Sequence, residues 1–323
     1  RGLVRGEHSR PVQPMLAQAG SIDTKAPGRH TRRSATATTT RRSRMLDITD
    51  EQTGRTIELP SGELYYNDVG EGHPLVFLHG SGPGATGWSN FSENIKELGE
   101  RFRCIAPEMP GWGRSSACTY ENRRHDVTAV ELLDALGIEK AAFIGNSMGG
   151  ATSVRVAARY PDRVSHLVTM GAGGPNAKIF GPGDGPTEGL KILHKGYVDP
   201  SPETMRELVE IMTFDPANAT DELAKRRSET ARARPDHLKN FVDGMAKPRD
   251  RFFATAEEAA DITAPALLIH GRDDRVVHFE SGLQLVSLIR NSRLVLLNRC
   301  GHWAQLEHPA EFNRLVADFV ANN

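Results

Sequence analysis

Apolar and polar positions along the chain change period repeatedly, and each change marks an element. RTIELPSGELYYNDVG (55–70) reads as two alternating runs around Pro60-Ser61-Gly62, which predicts a β-hairpin. PLVFLHG (74–80) is an unbroken apolar run, as expected of a strand covered on both faces of a sheet. WSNFSENIKELGERF (88–102) turns to helical spacing, and RCIAPEMPGWGRS (103–115) gives a second buried strand and a Gly/Pro loop. RRHDVTAVELLDALGIEK (123–140) predicts a helix with Val127, Val130, Leu133 and Leu136 or Gly137 on one face, stopped by Gly137. AAFIGNS (141–147) is a strand, the next seventeen residues a helix ended at Tyr160-Pro161, and SHLVTMGAGG (165–174) a strand and turn.

The rhythm breaks between Gly173 and about Ala260, where loop is followed by helical stretches such as 202–214 and 221–246. It resumes with a strand in APALLIHGRDD (264–274), a helix in ESGLQLVSLIR (280–290), a strand in SRLVLLN (292–298) and a helix through AEFNRLVADFV (310–320). Strand and helix in alternation predict an α/β fold with a mostly parallel twisted sheet and helices on both faces. The expected organisation is a core of 46–175 and 260–323 interrupted by a helical insertion, 176–259. An insertion at a strand's carboxyl end lands where such sheets bind ligands, so it is read as a lid.

Charge changes the picture at one end only. Over 323 residues the formal net charge is −1, which predicts no bulk attraction to nucleic acid or to an anionic membrane. Residues 1–45, however, hold ten Arg and Lys against Glu7 and Asp23, so they carry +8 and the remainder about −9. This leader is rich in Arg, Ser and Thr without apolar periodicity, and disorder is expected there. It superficially fits a transit peptide, but sequence upstream of a start at Met45 is the preferred reading. Cys104, Cys118 and Cys300 are three in number and lack metal-type spacing, which suits reduced thiols in a cytoplasmic protein. No apolar run approaches the ~20 residues of a membrane span.

Candidate chemistry centres on Gly145-Asn146-Ser147-Met148-Gly149, a G-x-S-x-G motif between a strand and a helix. So sharp a turn lifts the Ser147 hydroxyl clear of the backbone, above a helix N-terminus. A serine needs a base to become a good nucleophile, and His302, directly after the last strand, supplies one; His308 is the competitor. The acid that fixes the imidazole's tautomer should follow the preceding strand, where Asp273 and Asp274 stand. Asp274 is the choice, three residues after Gly271, with Asp273 left to Arg272 or Arg275. Two backbone N–H groups are needed for an oxyanion: one from Met148, the other from the glycine-rich loop 80–87, at Ser81 or its neighbour Gly82.

GNSMGG, GRDD and GHW in that order, with an inserted lid, resemble the α/β-hydrolase superfamily over residues 46–323. Within it, HGSGPGATGWSNF, GNSMGGATS and CGHWAQLEHPAEFNRLV resemble the meta-cleavage-product hydrolases. That resemblance implies serine-dependent hydrolysis of a carbon–carbon bond in 2-hydroxy-6-oxo-dienoates from aromatic or steroid catabolism. It implies a Ser147–His302–Asp274 triad, no cofactor or metal, and substrate contacts from Asn90, Asn146 and Trp303. It also implies that Arg227, or Arg226 beside it, holds the substrate's carboxylate, and it leaves a homo-oligomer open. Ser81 in place of a glycine, Glu108 in place of an aspartate and His278 in place of a proline depart from the pattern and leave the substrate's tail open. A carboxylesterase and a non-catalytic small-molecule receptor of the same fold are the alternatives.

Overall fold

A computed structural model of the chain describes residues 45–175, 180, 185–248 and 250–323. The basic leader lies outside the described residues but for Met45, and so does part of the loop entering the insertion. The strands are β1 (Gly54–Leu59), β2 (Gly62–Val69), β3 (Pro74–Leu78), β4 (Arg103–Pro107), β5 (Ala141–Asn146), β6 (Val164–Met170), β7 (Ala266–Gly271) and β8 (Ser292–Leu297). They form one sheet in the order β1-β2-β4-β3-β5-β6-β7-β8. The β1–β2 and β2–β4 pairs are antiparallel and every other pair is parallel.

The helices are α1 (Asp50–Thr53), α2 (Gly87–Leu98), α3 (His125–Ala135), α4 (Met148–Arg159), α5 (Glu188–Val198), α6 (Pro202–Met212), α7 (Asp221–Arg232), α8 (Pro235–Met245), α9 (Ala256–Ala260), α10 (Glu280–Leu288), α11 (Ala304–Glu307) and α12 (Pro309–Asn322). β3 shows why the central runs are apolar throughout. Leu75 and Phe77 join Phe91 and Ile95 of α2 and Phe312 and Val316 of α12 in one layer. Val76 and Leu78 join Leu132 and Leu133 of α3 and Val154 and Val156 of α4 in the other. Each buried side chain of this size contributes roughly 1.5–3 kcal/mol, so a polar residue on either face would be felt.

Two readings of helical pattern need correction. In α3 the buried side is His125, Asp126, Thr128, Ala129, Leu132 and Leu133, while Val127 and Val130 are half-buried. The turn of the face follows from polar anchoring at the helix start: His125 bonds Pro110 O at 3.2 Å and Asp126 pairs with Arg155 at 2.8 Å. The stretch 221–246 is two helices, because Pro235 has no N–H for an α7 continuation and instead opens α8 at its first position. α5 to α8 all lie between β6 and β7, and their apolar residues Leu193, Tyr197, Met205 and Phe241 belong to the same buried layer as α3 and α4. The three cysteines are free and buried. Among the described residues no helix is long and apolar enough to cross a membrane.

Candidate active site

β5 delivers Ser147 into a backbone conformation, φ 53° and ψ −114°, that a side-chain-bearing residue adopts at a cost of ~1–3 kcal/mol. The surroundings impose it. Ser147 N donates to Met170 O at 2.8 Å, and its carbonyl already accepts from Ala151 N at 2.9 Å as α4 begins. The flanking glycines make the approach possible: a Cβ on Gly149 would lie 1.9 Å from Leu78 O, and one on Gly145 2.2 Å from Gly149 O. The Ser147 side chain does not cap α4. It is half-buried and faces a cavity.

The carboxylate and the imidazole meet just beyond the ends of β7 and β8. Asp274 Oδ2 accepts from His302 Nδ1 at 2.7 Å, and its Oδ1 from the amides of Val276 and Val277 at 2.8 and 2.9 Å. His270 Nε2 stands 3.3 Å from the same Oδ2. Burial by itself would raise the Asp274 pKa, but the two imidazoles outweigh it and hold the carboxyl well below its ordinary range. Asp273 turns away, with Oδ1 3.7 Å from Arg272. His308 bonds Arg299 O instead, at 3.0 Å.

Met170 and Gly171, at the end of β6, are the hub of this arrangement. Met170 O takes the Ser147 amide, and Gly171, at φ 54°, lies against the other two groups. A Cβ there would sit 2.8 Å from His302 Nδ1 and 3.1 Å from Asp274 Oδ2. Asn146 adds a brace, its Nδ2 donating to Met170 O at 3.3 Å and His302 O at 3.1 Å. His302 N in turn donates to Met212 O, at the end of α6, at 2.7 Å.

The glycine-rich loop after β3 is pinned from below and above. His79 bonds Gly80 O and accepts from Met109 N, both at 2.8 Å. Trp112 Nε1 donates to Gly82 O at 3.1 Å, and Tyr197 Oη to Ser81 O at 2.6 Å. Met148 is the first residue of α4, so its N–H has no acceptor within the helix. Ser81, Ser147 and Met148 share the wall of a cavity of about 450 Å³ with Val277, Leu190, Arg123, Phe241 and Phe252. A volume of this size is ordinary for a small-molecule site.

Arg227, on α7, is buried, whereas Arg226 is exposed. Its Nη2 donates to Pro83 O at 3.1 Å, its guanidinium lies 5.1 Å from the Trp303 ring, and its Nε has no hydrogen-bond partner. No carboxylate pairs with it among the described residues. Burial lowers its pKa to about 10, so it remains charged at neutral pH. Asn90 is buried on α2, its Nδ2 given to Thr86 O at 3.0 Å and Ser89 Oγ at 3.3 Å. Asn90, Asn146, Arg227 and Trp303 do not line the cavity that Ser147 faces.

Four contributors escape pattern reading. Tyr197, His79 and Trp112 hold the loop after β3, and Gly171 makes room for the imidazole and carboxylate. Gly171 alone left a signal, a glycine directly after an apolar strand in MGAGG.

The family model for the alpha/beta hydrolase fold matches residues 73–309. A 2-hydroxy-6-oxononadienedioate/2-hydroxy-6-oxononatrienedioate hydrolase of Cupriavidus pinatubonensis is 40% identical over 284 residues, 85% of this chain and 98% of that one. A 2-hydroxy-6-oxo-6-phenylhexa-2,4-dienoate hydrolase of Comamonas testosteroni is 39% identical over 285 residues, 85% and 99% of the two chains. Among solved structures, a mutant of a meta-cleavage product hydrolase superposes with a TM-score of 0.75 at 37% identity, covering 84% of this chain and 99% of that one.

Proposed function

This chain belongs to the α/β-hydrolase family and, within it, to the meta-cleavage product hydrolases, and we propose that it hydrolyses the carbon–carbon bond of a 2-hydroxy-6-oxo-dienoate with Ser147 as nucleophile. The observation that carries the reading is the pairing of His302 with the buried Asp274 against Gly171, the residue directly after Met170, whose carbonyl takes the Ser147 amide. In this reading Asp274 holds the His302 Nδ1 proton and leaves Nε2 to act as base. The dienol first ketonises, so that the fragment to depart can leave as a stabilised enolate. Ser147 Oγ then loses its proton to His302 and adds to the C6 ketone, and the Met148 and Ser81 N–H groups bind the resulting oxyanion.

Collapse of the tetrahedral adduct breaks the C5–C6 bond. The electron pair leaves on the dienolate, which takes the proton from His302, and an acyl group stays on Ser147. Water, deprotonated by His302, displaces it to give a carboxylic acid and a 2-hydroxydienoate. α5 to α8 serve as the lid, since Tyr197, Arg227 and Met212 each touch the segments that carry Ser81, Pro83 and His302. We assign the carboxylate to Arg227, a buried planar fork suited to two parallel hydrogen bonds and without a countercharge among the described residues. It lies behind Gly82 and Pro83 and outside the wall of the cavity that Ser147 faces, so the assignment requires this part of the loop to yield when substrate binds.

The test is a spectroscopic assay on coloured dienoates with phenyl, methyl and carboxylate-bearing tails. Cleavage should exceed hydrolysis of p-nitrophenyl acetate by more than about 10²-fold in kcat/KM. Ester hydrolysis without dienoate cleavage would overturn the proposal.

A further inference from the structure

The cavity that Ser147 faces is rich in arginine. Arg123, Arg124, Arg155, Arg159 and Arg251 all reach its wall. Two of them are already answered: Asp126, on the same wall, pairs with Arg155 at 2.8 Å and lies 3.6 Å from Arg159, which also pairs with Glu258 at 2.9 Å. Arg123, Arg124 and Arg251 pair with no carboxylate among the described residues.

Arg123 is the most constrained of the three. Its guanidinium carbon stands 5.2, 5.4 and 5.8 Å from the ring centres of Phe252, Phe241 and Trp112, and its half-buried side chain leaves Nε enclosed without a partner. Aromatic rings orient a guanidinium and shield it from water, but they supply only the weak charge of a ring face. The neighbouring Cys118 thiol has its pKa raised by burial and so brings no negative charge. A cation that is oriented, partly dehydrated and open to a cavity is poised for an anion that arrives with the ligand.

We propose that Arg123 is a specificity-determining residue that binds a second carboxylate, carried at the far end of the substrate's tail. This rests on the dienoate reading above, in which Arg227 takes the carboxylate common to all such substrates. Arg124 and Arg251, which line the same cavity, strengthen its positive potential. An aryl tail would fill the space but leave the guanidinium unanswered.

Three dienoates with one head and different tails test this: 2-hydroxy-6-oxononadienedioate, its tail methyl ester, and 2-hydroxy-6-oxo-6-phenylhexa-2,4-dienoate. The wild-type protein should favour the free acid over its methyl ester by at least about 30-fold in kcat/KM, the lower end for losing a hydrogen-bonded charge pair. Arg123→Met should remove that preference while leaving phenyl-tail turnover within about threefold, which also reports that the variant is folded. Arg123→Lys should recover part of the preference. Equal losses on acid and phenyl tails, or a wild-type protein indifferent to the tail's charge, would overturn the proposal while leaving dienoate cleavage standing. Cleavage of none of the three would overturn both.

Discussion

Arg227 sits inside the protein with a backbone carbonyl, an indole ring and an unpartnered Nε around its charge. Such an environment does not stabilise a fold, because the desolvation of an unpaired cation costs several kcal/mol. Replacing it with methionine should therefore leave the melting temperature unchanged or raise it. The same substitution should lower kcat/KM on dienoates by about 10²–10³-fold, since the proposed two-bond carboxylate contact would be lost, and on a neutral ester by less than about tenfold. A fall in melting temperature with equal losses on both substrates would make the arginine structural. Ser147 follows the same logic: its backbone is held where strain is affordable only because Gly145 and Gly149 let β5, α4 and Leu78 close in.

At the scale of elements, the loops after β3 and β4 and the starts of α3 and α8 meet around Trp112. His237, His79 and His125 pack on that indole with ring centres 4.2, 5.7 and 5.7 Å away. Burial drives all three pKa values down, to about 4 for His79 and about 3 for His125 and His237, with the Arg123 charge adding to the last two. They are therefore neutral in the fold and would protonate near 6.5 once unfolded. Their contribution is fully present above pH 6.5 and is lost as pH falls from there toward 3–4. Each lowers stability by about 1.4 kcal/mol per pH unit inside that window. Urea midpoints at constant ionic strength should fall steadily from pH 6.5 to 4.5; a flat profile would mean the histidines are hydrated or charged in the native protein.

None of this cluster was legible in the sequence, because its members come from four segments and share no period. The strands were legible, since apolar runs such as PLVFL are buried on both faces and leave no other reading. The buried side of α3 was not, because His125 and Asp126 are held by Pro110 O and Arg155, partners that hydrophobic spacing does not record.

Across the whole molecule, Asn146 at the end of β5 bonds both Met170 at the end of β6 and His302 after β8, 156 positions away in sequence. Turns that follow apolar strands single out Ser147, Asp274 and His302 as candidates, and in the structure His302 bonds Asp274 while Asp273 lies towards Arg272. The environments of Asn146 and Arg227 could not be read, because they depend on where the segment carrying His302 and the loop carrying Pro83 come to lie. The central claim is that this convergence makes Ser147 the nucleophile. Its most direct test is the single-substitution rate: kcat of Ser147→Ala on a dienoate, with circular dichroism to verify the fold. A fall of about 10⁴-fold or more with an unchanged spectrum is the expected result, and a folded variant turning over within about tenfold of wild type would contradict the account.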